Sequence, residues 1–176
     1  MKIKIILQIV LILTLFSCTS NVSELEKAQK FHKILTKNGG VWVTKVKDTT
    51  QPFQYYIMKF NLTEHDTLHG LISGLSENGD TIKFWNVREY INNQTNKVQV
   101  AQSGYVGKTF YTANFPYDTV RNTEFEIHFF DDTQQKVKDK HIIMNDSLII
   151  TESKMFDKEK NKWIMNSPSE WKRITR

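Results

Sequence analysis

The chain has 176 residues, 12% of them aromatic, with only seven glycines and three prolines and a net charge of +5. That length suits one domain with a real core, and the composition excludes a disordered, collagen-like or low-complexity chain. Lys2 and Lys4 carry two of the positive charges, so the remainder is only mildly basic. Its lysines are scattered through turns and form no stripe interleaved with aromatics, so no nucleic-acid partner is expected.

The first stretch reads as a targeting signal. Lys2 and Lys4 make a short positive region, and residues 5–16 are an apolar run interrupted only by Gln8 and Thr14. The run is too short for a comfortable membrane span and suits a signal peptide over residues 1–17. Leu15-Phe16-Ser17-Cys18 follows, and Cys18 is the sole cysteine. An exported chain normally carries disulfides, so a single cysteine at this position is not a structural one. The tetrad resembles the lipobox of bacterial lipoproteins, in which a small residue precedes the cysteine that receives lipid. The resemblance implies that Cys18 is acylated, for example with palmitate, and becomes the first residue of a chain held at a membrane in the bacterial cell envelope. Several acyl chains on one cysteine suffice for stable anchoring, whereas one gives marginal binding.

Residues 18–22 are then a lipidated tether, and residues 23–176 a single domain. Ser23 and Glu26 have capping-box spacing, and Leu25, Ala28, Phe31 and Ile34/Leu35 recur at helical intervals until Asn38-Gly39-Gly40 stops the run. This predicts an amphipathic helix over residues 23–38. Its narrow apolar stripe favours packing on the outside of a sheet over the alternative, a lid or plug at one end. His32 is assigned to the solvated face.

From Val41 onward the chain reads as strands closed by polar turns. Strands are expected over residues 41–47, 53–62, 68–75, 81–87, 97–103, 109–113, 123–130, 137–144, 148–156, 163–165 and 171–174. Asn78-Gly79 suits a two-residue type I′ hairpin turn. No long helix separates the strands, which excludes parallel crossovers. The fold class expected is therefore all-β: an antiparallel meander closing into a barrel of about eight to ten strands, preceded by a short N-terminal helix. Between residues 123 and 130 the alternation puts Phe125, Ile127 and Phe129 on one face and Glu124, Glu126 and His128 on the other, with His128 exposed. The phase changes between Ile82/Phe84 and Trp85/Val87, which predicts a bulge near Trp85 or a sheet covered on both sides.

With Gly40-Val41-Trp42 on the first strand after a short helix, and Arg173 on the last, the domain resembles the lipocalin-like (calycin) barrels over residues 40–174. That resemblance implies a cup that holds a small apolar or lipid-like ligand, and a barrel of this size either encloses one such ligand or is filled by side chains. The candidate ligand-lining residues are Trp42, Tyr56, Phe84, Trp85, Phe110 and Phe125. A haem-binding subgroup has further glycines after the tryptophan, whereas Trp42 is followed by Val43, Thr44 and Lys45. His141, which could face inward, is read as a packed or surface residue and not as an axial ligand.

No other chemistry gathers. Glu64, His65, Asp66 and His69 are close in sequence but lack a second cluster to complete a metal shell. Asp131-Asp132 reads as a solvated turn, and no serine sits in a nucleophile elbow. The basic residues 158–162 read as a solvated turn or as a contact for anionic headgroups. No catalytic set, metal or cofactor is expected. The functional classes left open are a tethered binding module, an envelope interaction protein with a filled core, and an enzyme on a small exported substrate.

Overall fold

The computed structural model describes residues 22–63 and 65–174. The signal peptide, Cys18 and Glu64 lie outside the described residues. The helix α1 (Glu24–Thr36) starts where the capping box places it. Ser23 N–H donates to Glu26 Oε2 (2.8 Å), and Glu26 N–H donates to Ser23 Oγ (3.2 Å), so two of the helix's orphan donors are satisfied. Glu24 and Glu26 in the first turn and Lys33 in the last complement the helix dipole. A single 3-10 turn (Lys37–Gly39) and three consecutive positive φ values, Asn38 54°, Gly39 86° and Gly40 64°, reverse the chain into the first strand. Gly40 is required there. A Cβ at this residue would collide with the Phe60 carbonyl oxygen.

Eleven strands follow, all paired antiparallel: β1 (Val41–Lys45), β2 (Tyr55–Leu62), β3 (Leu68–Leu75), β4 (Thr81–Asn92), β5 (Lys97–Gly104), β6 (Gly107–Tyr117), β7 (Val120–Phe129), β8 (Gln134–Asn145), β9 (Leu148–Asp157), β10 (Lys162–Met165) and β11 (Ser169–Arg173). Strands β1 to β9 form a meander that β11 joins between β9 and β1, and the β8–β9 pairing completes a closed ring of ten strands. The small strand β10 pairs with β9 at residues 154–157, on the same edge that β11 takes at residues 148–151, so it continues the β11 wall toward the other end and adds no eleventh place to the ring. Closure removes the exposed sheet edges that an open sheet of this length would present. The expected all-β meander barrel with one short N-terminal helix is the observed architecture.

Local details follow the residues. Phe84 is the extra residue of a bulge in β4, because Trp85 pairs with Ile72 and Lys83 with Ser73. The phase change seen in the sequence is thus a bulge. Pro116 falls where the β6–β7 register shifts, between Asn114 and Tyr117, as a residue without an N–H must. The β3–β4 turn corrects one expectation. Only Gly79 takes a positive φ (84°), and Gly79 N–H donates to the Ser76 carbonyl (3.1 Å). The loop is three residues, Glu77-Asn78-Gly79, with glycine in the left-handed position, and not a type I′ pair.

The helix also departs from expectation. It packs against β2, β5, β6 and β7, and its last turn is tied to β1 and β11. A helix lying on a barrel wall meets adjacent strands; one that meets strands from opposite sides closes an end. Ala28, Phe31, His32 and Leu35 are buried, with Phe31 set edge-on against Phe115 (5.5 Å between ring centres). The helix is a plug, and the outside-packing expectation is corrected. Its C-terminal carbonyls are held from below. Arg173 donates to Ile34 O and Lys37 O, lies over the Trp42 ring (4.0 Å), and Trp42 Nε1 donates to Leu35 O (2.9 Å). Gly40, Trp42 and Arg173, the three residues behind the family resemblance, therefore meet at the junction of plug, first strand and last strand, where Trp42 is paired in register with Arg173.

The core is uneven along the barrel axis. Beside the plug the interior is filled by Trp42, Phe60, Leu68, Val100, Phe115 and Ile149, each 6% exposed or less. Toward the other end the packing opens into a cavity.

Candidate functional site: a half-filled barrel with a charged floor

The cavity has a volume of about 230 Å3 and is bordered by residues of β2 to β5 and β7 to β9, with Asn166 after β10. Its two walls differ because of strand alternation. Met58 and Phe60 on β2, Ile72 on β3, and Trp85 and Val87 on β4 make one apolar wall. The facing wall carries Arg121 on β7, Asp139 and His141 on β8, and Ser153 on β9, with Phe125, Ile127, Val137 and Met155 nearer the mouth. Register explains the order: Arg121 pairs with His141 and Phe125 with Val137, and β7 runs from the plugged end toward the mouth. On this wall the polar residues are thus deep and the apolar ones shallow, while Gln102 on β5 adds a polar group nearer the mouth.

Beneath the polar residues lies a buried ion group. Glu89 on β4 is 0% exposed, His32 on the plug 2% and Arg121 5%. His32 Nε2 donates to Glu89 Oε1 at 2.6 Å, and Arg121 NH1 donates to Glu89 Oε2 at 2.7 Å. A carboxylate cannot donate, so the His32 proton sits on Nε2. Burial by itself would raise the Glu89 pKa, but the Arg121 charge and the His32 hydrogen bond outweigh it and hold the carboxyl below its usual range. Arg121 is raised further, since the desolvation that lowers it is overcome by Glu89. The plug is therefore fastened to the barrel through a charge network and not only by apolar contact.

His141 and Asp139 are the titratable groups that face the cavity. Burial, reinforced by the neighbouring Arg121 cation, drives His141 well below its usual range. Burial raises Asp139, partly opposed by a Ser153 hydrogen bond and by Arg121. Arg121 NH2 reaches His141 Nδ1 only at 3.5 Å, so the ring is a neutral acceptor there. A histidine kept neutral in the fold destabilises it once the unfolded chain can take the proton. Stability should then fall by about 1.4 kcal/mol per pH unit as pH drops below about 6.5. Asp139 acts in the opposite sense, so the comparison that isolates His141 is wild type against His141→Gln. Urea unfolding between pH 7.5 and 5.5 should show a steeper loss in wild type, and equal slopes would refute the assignment.

At the mouth Phe53, Tyr56, Phe84 and Tyr105 form a chain of ring contacts with centres 5.1 to 6.2 Å apart. Gly74 makes room for them, because a Cβ would lie 2.7 Å from the Phe53 ring and 2.8 Å from Phe84. Deeper, the Tyr111 ring stacks on Phe125 (4.4 Å), and its hydroxyl accepts from Gln102 Nε2 (2.6 Å). Burial pushes the Tyr111 hydroxyl above the usual tyrosine range.

Of the residues the sequence nominated, Trp85 and Phe125 border the cavity, while Tyr56 and Phe84 stand in the mouth cluster. Trp42 is on the inner face but fully packed under the plug, away from the cavity. Phe110 is corrected: at 64% exposure it projects from the outer face of β6, because Thr109 and Tyr111 take the inward positions. His32 is corrected too, from solvated to buried. His128 is exposed as expected.

Sequence reasoning overlooked Glu89 and Arg121. A signal existed: Glu89 alternates in phase with Val87 and Ile91, and Arg121 with Thr123 and Phe125, so each charge sat at an inward position. His32 likewise falls four residues after Ala28, on the buried stripe. Among the described residues no group of three His, Cys, Asp or Glu side chains could hold a metal ion, and no helix is long and apolar enough to cross a membrane. Comparison with protein-family models, with curated proteins and with solved structures finds no match for this chain.

Proposed function

We propose that this protein is a lipid-anchored envelope lipoprotein whose barrel binds a small, largely apolar ligand. The observation that carries the reading is the cavity of about 230 Å3 with an apolar wall, an aromatic mouth and a few convergent polar groups at its deep end. Small-molecule sites are of this kind, mostly apolar with a small number of placed polar groups, and run from about 300 Å3 upward. This cavity falls below that range, so its ligand is a small one. A barrel serving only as a partner-binding surface has no need of such a cavity, since side chains alone can fill it. The anchor rests on the lipobox-like Leu15-Phe16-Ser17-Cys18. Such a tether would emerge from the plugged end, because Phe115 N–H donates to Glu24 Oε1 (2.8 Å) and pins the start of α1 near the β6–β7 turn. The mouth lies at the other end of the barrel.

Mass spectrometry of the full chain extracted from membranes tests both parts. A covalent acyl mass is expected on the fragment that begins at Cys18 and is lost in Cys18→Ala. A second, reversible mass should survive native conditions and disappear after organic extraction. A bare chain with neither addition would overturn the proposal, and an acylated chain that takes up nothing from a lipid extract would overturn the binding half alone.

A further inference from the structure

The deep end of the cavity offers hydrogen bonds without offering charge. Arg121 is 5% exposed and its NH1 is spent on Glu89, whose other oxygen is held by His32. The guanidinium is therefore neutralised before any ligand arrives. Yet its Nε has no hydrogen-bond partner among the described residues, and its NH2 makes only the 3.5 Å contact with His141 Nδ1. Beside His141 across the β8–β9 ladder, the Thr151 hydroxyl is also buried without a partner. Buried polar atoms are almost always satisfied, because an orphan forfeits its hydration with nothing in return. Of the two residues, Arg121 borders the cavity, below its apolar wall, and its unspent N–H groups mark where the polar end of a guest completes the network.

The charge of that guest follows from what surrounds it. A carboxylate or phosphate would bring a second anion to an arginine already matched by Glu89, with Asp139 close by, and would forfeit its hydration, the largest cost of burying an ion. An ammonium would forfeit its hydration too, and Asp139, the carboxyl that could pair with it, already lies in the field of the Arg121 cation. A hydroxyl or carboxamide loses far less water, accepts from the Arg121 N–H groups, and donates to Asp139, both of which border the cavity. We infer that the ligand is an uncharged amphiphile, a short apolar chain or ring ending in a hydroxyl or carboxamide, seated polar end inward on Arg121 with its apolar part against Ile72 and Trp85. This inference rests on the reading of the barrel as a ligand-binding module and assigns the chemical class of what it binds.

Four six-carbon probes that differ only in the end group decide it: hexan-1-ol, hexanamide, hexanoate and hexylamine. Each is equilibrated at pH 7.5 by dialysis against the full chain in phospholipid nanodiscs, with protein-free nanodiscs as the blank and, as a second readout, the part of the tryptophan fluorescence that is lost in Trp85→Phe. Hexanol and hexanamide should be retained at least about tenfold more strongly than hexanoate or hexylamine, and Ile72→Phe, which fills the apolar wall, should abolish the difference. Hexanoate or hexylamine bound as tightly as the neutral pair, and displaced by Ile72→Phe, would overturn the inference while leaving the binding module in place. Retention of none of the four above the blank would overturn both.

Discussion

Replacing Glu89 by glutamine is expected to lower the stability of the fold by about 3–5 kcal/mol, the range seen when one partner of a buried ion pair is removed. For a domain of this size that is a fall in Tm of about 10 °C. The cost arises from what the substitution leaves behind. Arg121, 5% exposed, would keep its charge with no counter-ion, and the amide, with one acceptor oxygen where the carboxylate has two, would turn its NH2 toward either the His32 or the Arg121 donor. Adding Arg121→Met should recover part of the loss, because a buried pair replaced by apolar side chains is often nearly neutral. If the double variant were as unstable as the sum of the singles, the two residues would not be coupled, and the network described for the plug would be wrong. The acid limb gives the same information. A carboxyl held below its usual range stabilises the fold above the unfolded pKa, about 4.5, and the contribution is lost as pH falls through the folded value. Wild type should therefore lose stability below about pH 4.5 more steeply than Glu89→Gln.

Trp42→Ala should be of comparable size, about 3–5 kcal/mol, the usual cost of truncating a buried Trp. Trp42 is 0% exposed. Its indole N–H holds the Leu35 carbonyl, and its ring carries the Arg173 guanidinium, whose own donors hold Ile34 O and Lys37 O. One truncation thus removes the platform under three of the last carbonyls of α1 and its following turn. Equilibrium unfolding in urea measures the loss, and amide exchange across residues 24–36 reports whether the plug opens before the barrel does. Trp42→Phe keeps most of the volume and the ring face but not the N–H, so its cost should lie between zero and that of alanine. A loss under about 1 kcal/mol for Trp42→Ala would show that the plug is held by other contacts.

These two residues were not equally legible. Trp42 announces itself, since a tryptophan two residues after Gly40 at the start of an apolar strand belongs on the inner face of a sheet. Glu89 sits inside because of its phase, and phase is readable, but what makes it tolerable there is not. Its partners His32 and Arg121 are 57 and 32 residues away in sequence. Nothing in local spacing pairs a helix residue with residues on two strands that face each other only after the ring has closed.

The amino-acid sequence alone determined the features that depend on near neighbours. The capping box at Ser23 and Glu26, the stop at residues 38–40, the alternating strands and their antiparallel order all follow from backbone preferences within a few residues and from connections too short for a crossover. Tertiary structure decided the rest. Closure through β8, β9, β11 and β1 put α1 across one end instead of along a wall, turned His32 from a surface residue into a buried ligand of Glu89, and sent Phe110 outward while Arg121 and His141 faced the interior. It also settled that the barrel is packed beside the plug and hollow beyond it. Side chains enter that space from ten strands and a helix at once, and only their sum decides how much of it they fill.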